Sequence, residues 1–187
     1  MMKEVLAGLN YLHSQNPPVA HGCIRIGKLF VDARGTTKIG ESGLALLFED
    51  FGLLAPSISQ AGQARWMSQE LLGIEENQEY SPPTTASDVW ALGCTLYEIM
   101  CGKLPYYIYK HDLRLQLEVV SKTLPGHRDH LLSPAFVDVW EWVHYCWAWI
   151  PEQRPLVEEL VRLIDWPIDV GRDESSPRTQ TDPSSDV

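Results

Sequence analysis

Ser87-Asp88-Val89-Trp90-Ala91-Leu92-Gly93-Cys94-Thr95-Leu96-Tyr97-Glu98-Ile99-Met100 is the most apolar run of the chain. Apolar residues stand on every side of its helical wheel, at Val89, Trp90, Leu92, Leu96, Ile99 and Met100. A helix of that kind belongs in the middle of a domain, not on its surface. Ser87 is positioned to cap it, Asp88 suits the positive end in the first turn, and Gly102 past Cys101 is a stop signal. The run is too short, and Glu98 too polar, for a membrane span.

Outward from this helix, residues 134–146 repeat the helical period with Phe136, Val139, Trp140 and Val143 inward. Pro155 reads as a first-turn residue opening a last helix with the stripe Leu156, Leu160, Leu163 and Ile164. Residues 111–121 read as a further helix and 65–72 as a short one. At the other end, residues 2–14 form an amphipathic helix on Val5, Leu6, Leu9 and Leu12, ended by Asn16-Pro17-Pro18. Leu29-Phe30-Val31 and Thr37-Lys38-Ile39 flank Asp32-Ala33-Arg34-Gly35, the pattern of a β-hairpin. From Gly171 onward no apolar period survives, and composition predicts a disordered acidic, Ser-Pro tail over 167–187 behind a domain over 1–166.

The chain has 187 residues, 44% hydrophobic, with seven Trp and a formal net charge of −10. That content supports one globular core. The charge argues against a whole-surface interaction with nucleic acid or an anionic membrane. The four cysteines, Cys23, Cys94, Cys101 and Cys146, show no C-x-x-C spacing, and the last three lie in apolar helical patterns as core thiols. No targeting signal is visible, so a reducing, cytoplasmic setting is expected. His127, Asp129 and His130 read as solvated loop residues, not as a metal site.

Three blocks carry a resemblance. Asp88-Val89-Trp90-Ala91-Leu92-Gly93 with Gly102-Lys103-Leu104-Pro105-Tyr106 is similar to the central helix of the protein kinase C-terminal lobe. Arg65-Trp66-Met67-Ser68-Gln69-Glu70 resembles the segment ending in A-P-E. Cys146-Trp147-Ala148-Trp149-Ile150-Pro151-Glu152-Gln153-Arg154-Pro155 resembles the closing C-W…P-x-x-R-P motif. Their order and spacing over roughly residues 2–165 resemble the tyrosine-kinase and tyrosine-kinase-like branch of the family. The resemblance implies a mainly α, kinase-like C-lobe with a small β-hairpin element. It also implies structural roles: Glu70 pairing with Arg154, and Asp88 accepting hydrogen bonds from the catalytic-loop backbone.

The catalytic motifs depart from the family. Active kinases carry H-R-D-L-x-x-x-N, the Asp taking the hydroxyl proton and the Asn holding metal. Here the loop is His21-Gly22-Cys23-Ile24-Arg25-Ile26-Gly27-Lys28. Cys23 stands at the Asp position, Lys28 at the Asn position, and Arg25 where serine/threonine kinases place a phosphate-facing Lys. Glu41-Ser42-Gly43 stands at D-F-G, leaving Glu41 as the one metal-type carboxylate, a methylene longer than Asp. A literal Asp50-Phe51-Gly52 follows, but no strand pattern leads into it. Gln63 replaces a Thr that contacts the catalytic Asp in the family. Phe30 corresponds to the floor residue under adenine. No G-x-G-x-x-G and no V-A-x-K occur, so the N-lobe is expected to be absent and the nucleotide cleft half-formed.

The expectation is a non-catalytic pseudokinase lobe that works as a binding or scaffold module, with a protein partner and no cofactor. The first alternative is a live kinase or its C-terminal part, using ATP and Mg²⁺ with Glu41 on the metal. The second is a helical interaction domain whose likeness to kinases is accidental. Glu75, Glu76 and Glu79 make the 70–79 stretch acidic and a candidate face for basic peptides.

Overall fold

A computed structural model describes residues 1–40, 63–72 and 81–164. The chain enters on helix α1 (Met2–His13), which buries Val5, Leu6 and Leu9. Strands β1 (Leu29–Val31) and β2 (Thr37–Ile39) follow as an antiparallel pair, with Phe30 opposite Lys38. Asp32 makes the turn: its Oδ1 accepts from the backbone N–H of Arg34 at 2.9 Å and of Thr36 at 3.0 Å. An aspartate that satisfies the backbone ahead of it is what lets so short a hairpin close.

Helices α2 (Thr85–Cys101), α3 (Asp112–Val120), α4 (Val137–Cys146) and α5 (Val157–Ile164) complete the fold. The mainly α class with a small hairpin, expected from sequence, is the observed one. Helix α2 runs through the centre, with thirteen of its residues buried. Val89, Trp90, Leu92, Leu96 and Met100 pack among residues of α1, α4 and α5 in one continuous core. Helix α4 lies along α2, and α5 lies along α1.

The ends of α2 show how local chemistry places it. Its N-cap is Thr84, not Ser87. The Thr84 side chain accepts from Ser87 N–H at 3.1 Å, and Ser87 Oγ accepts from Thr84 N–H at 2.9 Å. This reciprocal box starts the helix three residues ahead of the expected position and frees Asp88 for another use. At the far end Gly102 adopts φ +61°, the left-handed cap that glycine reaches without strain.

Three further expectations change. Residues 65–72 form no helix but two separate 3-10 turns, Ala64–Trp66 and Gln69–Leu71, because the backbone returns to an extended conformation at Met67 and Ser68. Helix α4 begins after a separate 3-10 turn at Pro134–Phe136. Helix α5 opens at Val157, two residues after Pro155. It buries Val157 and Leu160, while Leu156 is 65% exposed and Leu163 45%. Its inward face is thus turned by one residue from the expected stripe. Among the described residues no helix is long and apolar enough to cross a membrane. Residues 41–62, 73–80 and 165–187 lie outside the described structure, and with them Glu41, the Asp50-Phe51-Gly52 run, the Glu75, Glu76 and Glu79 face and the tail.

Candidate functional site

The loop between α1 and β1 is held from below by one carboxylate. Asp88, 1% exposed in the first turn of α2, accepts from the His21 backbone N–H at 2.6 Å and the Gly22 N–H at 2.8 Å. His13 at the end of α1 reaches the same carboxylate through Nε2 at 3.0 Å. A buried carboxylate is tolerated only with such partners, and here they fix the loop to the central helix. Gly22 itself has φ +83°, and a side chain there would meet Pro83 at 3.2 Å, so both backbone and space call for glycine.

His21 is buried with both ring nitrogens engaged. The Gly40 carbonyl lies 3.1 Å from Nε2 and can only accept, so Nε2 carries the proton; Nδ1 accepts from the Cys23 N–H at 3.2 Å. This tautomer is neutral. Burial pushes the His21 pKa below its ordinary value of 6.5, outweighing the nearby Asp88 charge.

Cys23 is half-buried beside Arg25 and Lys28. Burial raises its thiol pKa, although the Arg25 and Lys28 charges oppose the shift. The group is therefore a neutral thiol at physiological pH, neither a base, nor a metal-binding thiolate, nor an activated nucleophile. Arg25 lies over the Trp66 ring, its guanidinium 5.8 Å from the centroid, and its Nε is buried with no hydrogen-bond partner among the described residues. Lys28 ends a 3-10 turn, Ile26–Lys28, directly before β1, and its carbonyl accepts from Gly40 N–H at 2.9 Å. Phe30 on β1 is half-exposed, its ring so close over Gly40 that a Cβ there would lie 2.5 Å away. Gln63 borders the same small pocket as Gly22, Cys23 and Asp88.

These groups do not fit Mg²⁺, which takes oxygen donors in near-octahedral order. At the two loop positions where the resemblance would place carboxylate and amide oxygens, the chain offers a neutral thiol and an ammonium. Among the described residues no cluster of three His, Cys, Asp or Glu side chains could hold a metal ion.

Glu70 and Arg154 form a bidentate pair at 2.6 and 2.9 Å. Arg154 also donates from Nε to the Ala148 carbonyl at 2.9 Å and from Nη1 to the Ala86 carbonyl at 3.0 Å. Its guanidinium lies 5.2 Å from the Trp90 ring centroid. One side chain thus joins the 63–72 segment, the start of α2 and the loop before α5. Burial by itself would raise the Glu70 pKa, but the Arg154 hydrogen bonds and charge outweigh it and hold it below 4.5.

Two anchors escaped the sequence reading. His13 carries no pattern that points to Asp88. Arg65 donates to the carbonyls of Pro105 and Tyr106 at 2.9 Å each and of Tyr109 at 2.5 Å. No side-chain motif predicts these bonds, because the acceptors are backbone atoms. His130, read from sequence as solvated, is half-buried and lies 2.7 Å through Nδ1 from the Tyr97 hydroxyl.

Acid should destabilise the fold in two windows. As pH falls below 6.5 the unfolded state binds a proton at His21 before the folded state does, so stability falls. The Glu70 contribution is fully present above 4.5 and is lost as pH falls through the lower folded value. We expect the melting temperature to drop through both windows, with the lower drop reduced in Glu70→Gln. A melting temperature that rises on acidification contradicts the assignment.

Comparison with known proteins identifies the family. The family described as the protein kinase domain matches residues 1–163. Mitogen-activated protein kinase kinase kinase 3 of Arabidopsis thaliana is 32% identical over 161 residues, 85% of this chain and 26% of that protein. Serine/threonine-protein kinase STY17 of Arabidopsis thaliana is 28% identical over 172 residues, 91% of this chain and 28% of that protein. The human serine/threonine-protein kinase A-Raf is 27% identical over 174 residues, 87% of this chain and 26% of that protein. The chain spans 26% and 19% of the length of the first two relatives. The accidental-likeness reading falls with this match, and the chain belongs to the protein kinase family.

Proposed function

We propose that this chain is the C-lobe of a pseudokinase, a kinase-family module that binds a protein partner in the cytoplasm without transferring phosphate. One observation carries the reading: the loop is locked in place by Asp88, yet presents a neutral Cys23 thiol and the Lys28 ammonium where the reaction needs a base and a metal ligand. Loss of a general base typically costs about 10²–10⁴-fold in rate. A cation at a metal position repels the ion as well. The four cysteines are free thiols, consistent with a reducing compartment. Neither nucleic acid nor a membrane suits a chain of net charge −10.

A second reading is supported by the relatives, several of which carry serine/threonine kinase names. In that reading Glu41 would take the metal of a live ATP-dependent enzyme. The discriminating experiment uses the full-length gene product, with a thermal-shift series in ATP with and without Mg²⁺ beside a phosphate-transfer assay. We expect no Mg²⁺-dependent shift and no transfer. Mg²⁺-dependent phosphorylation that disappears in Glu41→Ala would overturn the pseudokinase reading in favour of the second.

A further inference from the structure

A cleft of about 340 Å³ opens between residues 106–109 and residues 123–130, with Tyr107, Ile108, Leu124 and Pro125 giving its walls an apolar surface. Neither α3 nor the 21–28 loop contributes a wall residue. The cleft is preformed. Arg65 pins the first wall by donating to the Pro105, Tyr106 and Tyr109 carbonyls. The Tyr106 N–H donates to the Pro125 carbonyl at 2.7 Å and ties that wall to the second. Leu115 and Val119 of α3 pack with Tyr106 in a small buried cluster. Each wall also begins at a non-glycine residue in the left-handed region, Tyr106 at φ +53° and Lys122, just before Thr123, at φ +59°. Backbone of this kind is strained, and such strain collects at binding sites.

Rings and charges narrow the class of ligand. Tyr107 and His130 stand edge to face with centroids 5.2 Å apart. The Tyr97 hydroxyl, 2.7 Å from Nδ1, fixes the His130 ring and leaves Nε2 without a hydrogen-bond partner among the described residues. The Lys103 ammonium lies 4.6 Å from the Tyr107 ring centroid and has no ion-pair partner among the described residues. Residues 103–130 carry five Lys and Arg against three Asp and Glu, in a chain of net −10. Of those three carboxylates, Glu118 is paired with Arg114 and Asp129 with His127. A cleft of this size, walled by rings and aliphatic groups with an unpaired ammonium beside it, matches a small organic anion with an aromatic body.

We infer that the cleft binds a small aromatic acid, its ring among Tyr107, Ile108, Leu124 and Pro125 and its acid group facing the Lys103 ammonium. Burial of the ring supplies the affinity, and the ammonium selects an anion over a neutral ligand of the same shape. The site stands on its own residues, so neither reading of the 21–28 loop depends on it.

The test titrates two fluorescent dyes into the full chain: anilinonaphthalene sulfonate, an anion, and phenylnaphthylamine, the same ring system without the sulfonate. We expect saturable binding of the sulfonate, about tenfold tighter than that of the amine and weakened by added salt. Naphthoate should displace it. Lys103→Glu should cost the sulfonate about tenfold and leave the amine unchanged. Tyr107→Ala with Ile108→Ala should weaken both dyes about tenfold, and Tyr11→Ser, an exposed aromatic on α1, should affect neither. Thermal unfolding of each variant keeps misfolding out of the comparison, and the single Lys103 change decides the matter where the alanine pair unfolds early. Uptake that does not saturate, equal affinity for the two dyes, or affinity for the sulfonate unmoved by Lys103→Glu overturns the proposal. So does an acidic aromatic peptide that displaces the dye where naphthoate does not, which would assign the cleft to a protein partner. Self-association abolished by the alanine pair would likewise overturn it and assign the cleft to a second copy of this chain.

Discussion

Arg154→Ala should lower the unfolding free energy by about 3–5 kcal/mol, the range for removing one partner of a buried ion pair. The side chain is 1% exposed and donates four hydrogen bonds, two to Glu70 and one each to the Ala148 and Ala86 carbonyls. Truncation leaves the Glu70 carboxylate, itself only 20% exposed, without its partner, and orphans the Ala148 and Ala86 carbonyls. Arg154→Lys should recover little, because one ammonium cannot reproduce a planar fork that reaches acceptors from three segments. Replacing both partners by apolar residues, Arg154→Met with Glu70→Leu, should cost less than either single change, since no charge is then left buried. Urea unfolding of the unaltered chain and of each of these variants provides the comparison. A loss below about 1 kcal/mol in Arg154→Ala would place the pair among ordinary surface salt bridges.

Trp90→Ala should cost about 3–5 kcal/mol, the range for truncating a large aromatic in a core. Trp90 is fully buried at the middle of the core, its ring centroid 5.0 Å from that of Trp149 and under the Arg154 guanidinium. Deleting it opens a cavity and removes the surface on which Arg154 rests. Trp90→Phe should cost much less, because its Nε1 is buried without a hydrogen-bond partner among the described residues and its removal leaves no orphan there. The alanine changes at positions 90 and 154 touch each other and should therefore not be additive. Equal losses in Trp90→Phe and Trp90→Ala, measured by denaturant midpoint, would show that the indole nitrogen matters more than the ring volume.

These two side chains illustrate how unevenly the chain discloses itself. Trp90 was legible as core because an all-round apolar helix has nowhere else to go. The hairpin was legible because Asp32 and its turn act within a few residues. Glu70, Arg154, Asp88, Cys23 and Lys28 stood out only through the order and spacing of kinase-like blocks, and residues alone would have passed them as scattered charges. Local periodicity and turn chemistry, together with those blocks, determined the fold class and the central helix. Tertiary structure alone decided where Asp88, Arg154 and Arg65 spend their hydrogen bonds, because most of their partners are backbone atoms far away in sequence. It decided which leucines of α3 and α5 face inward, because an apolar stripe records that a face is greasy but not which neighbour arrives to cover it.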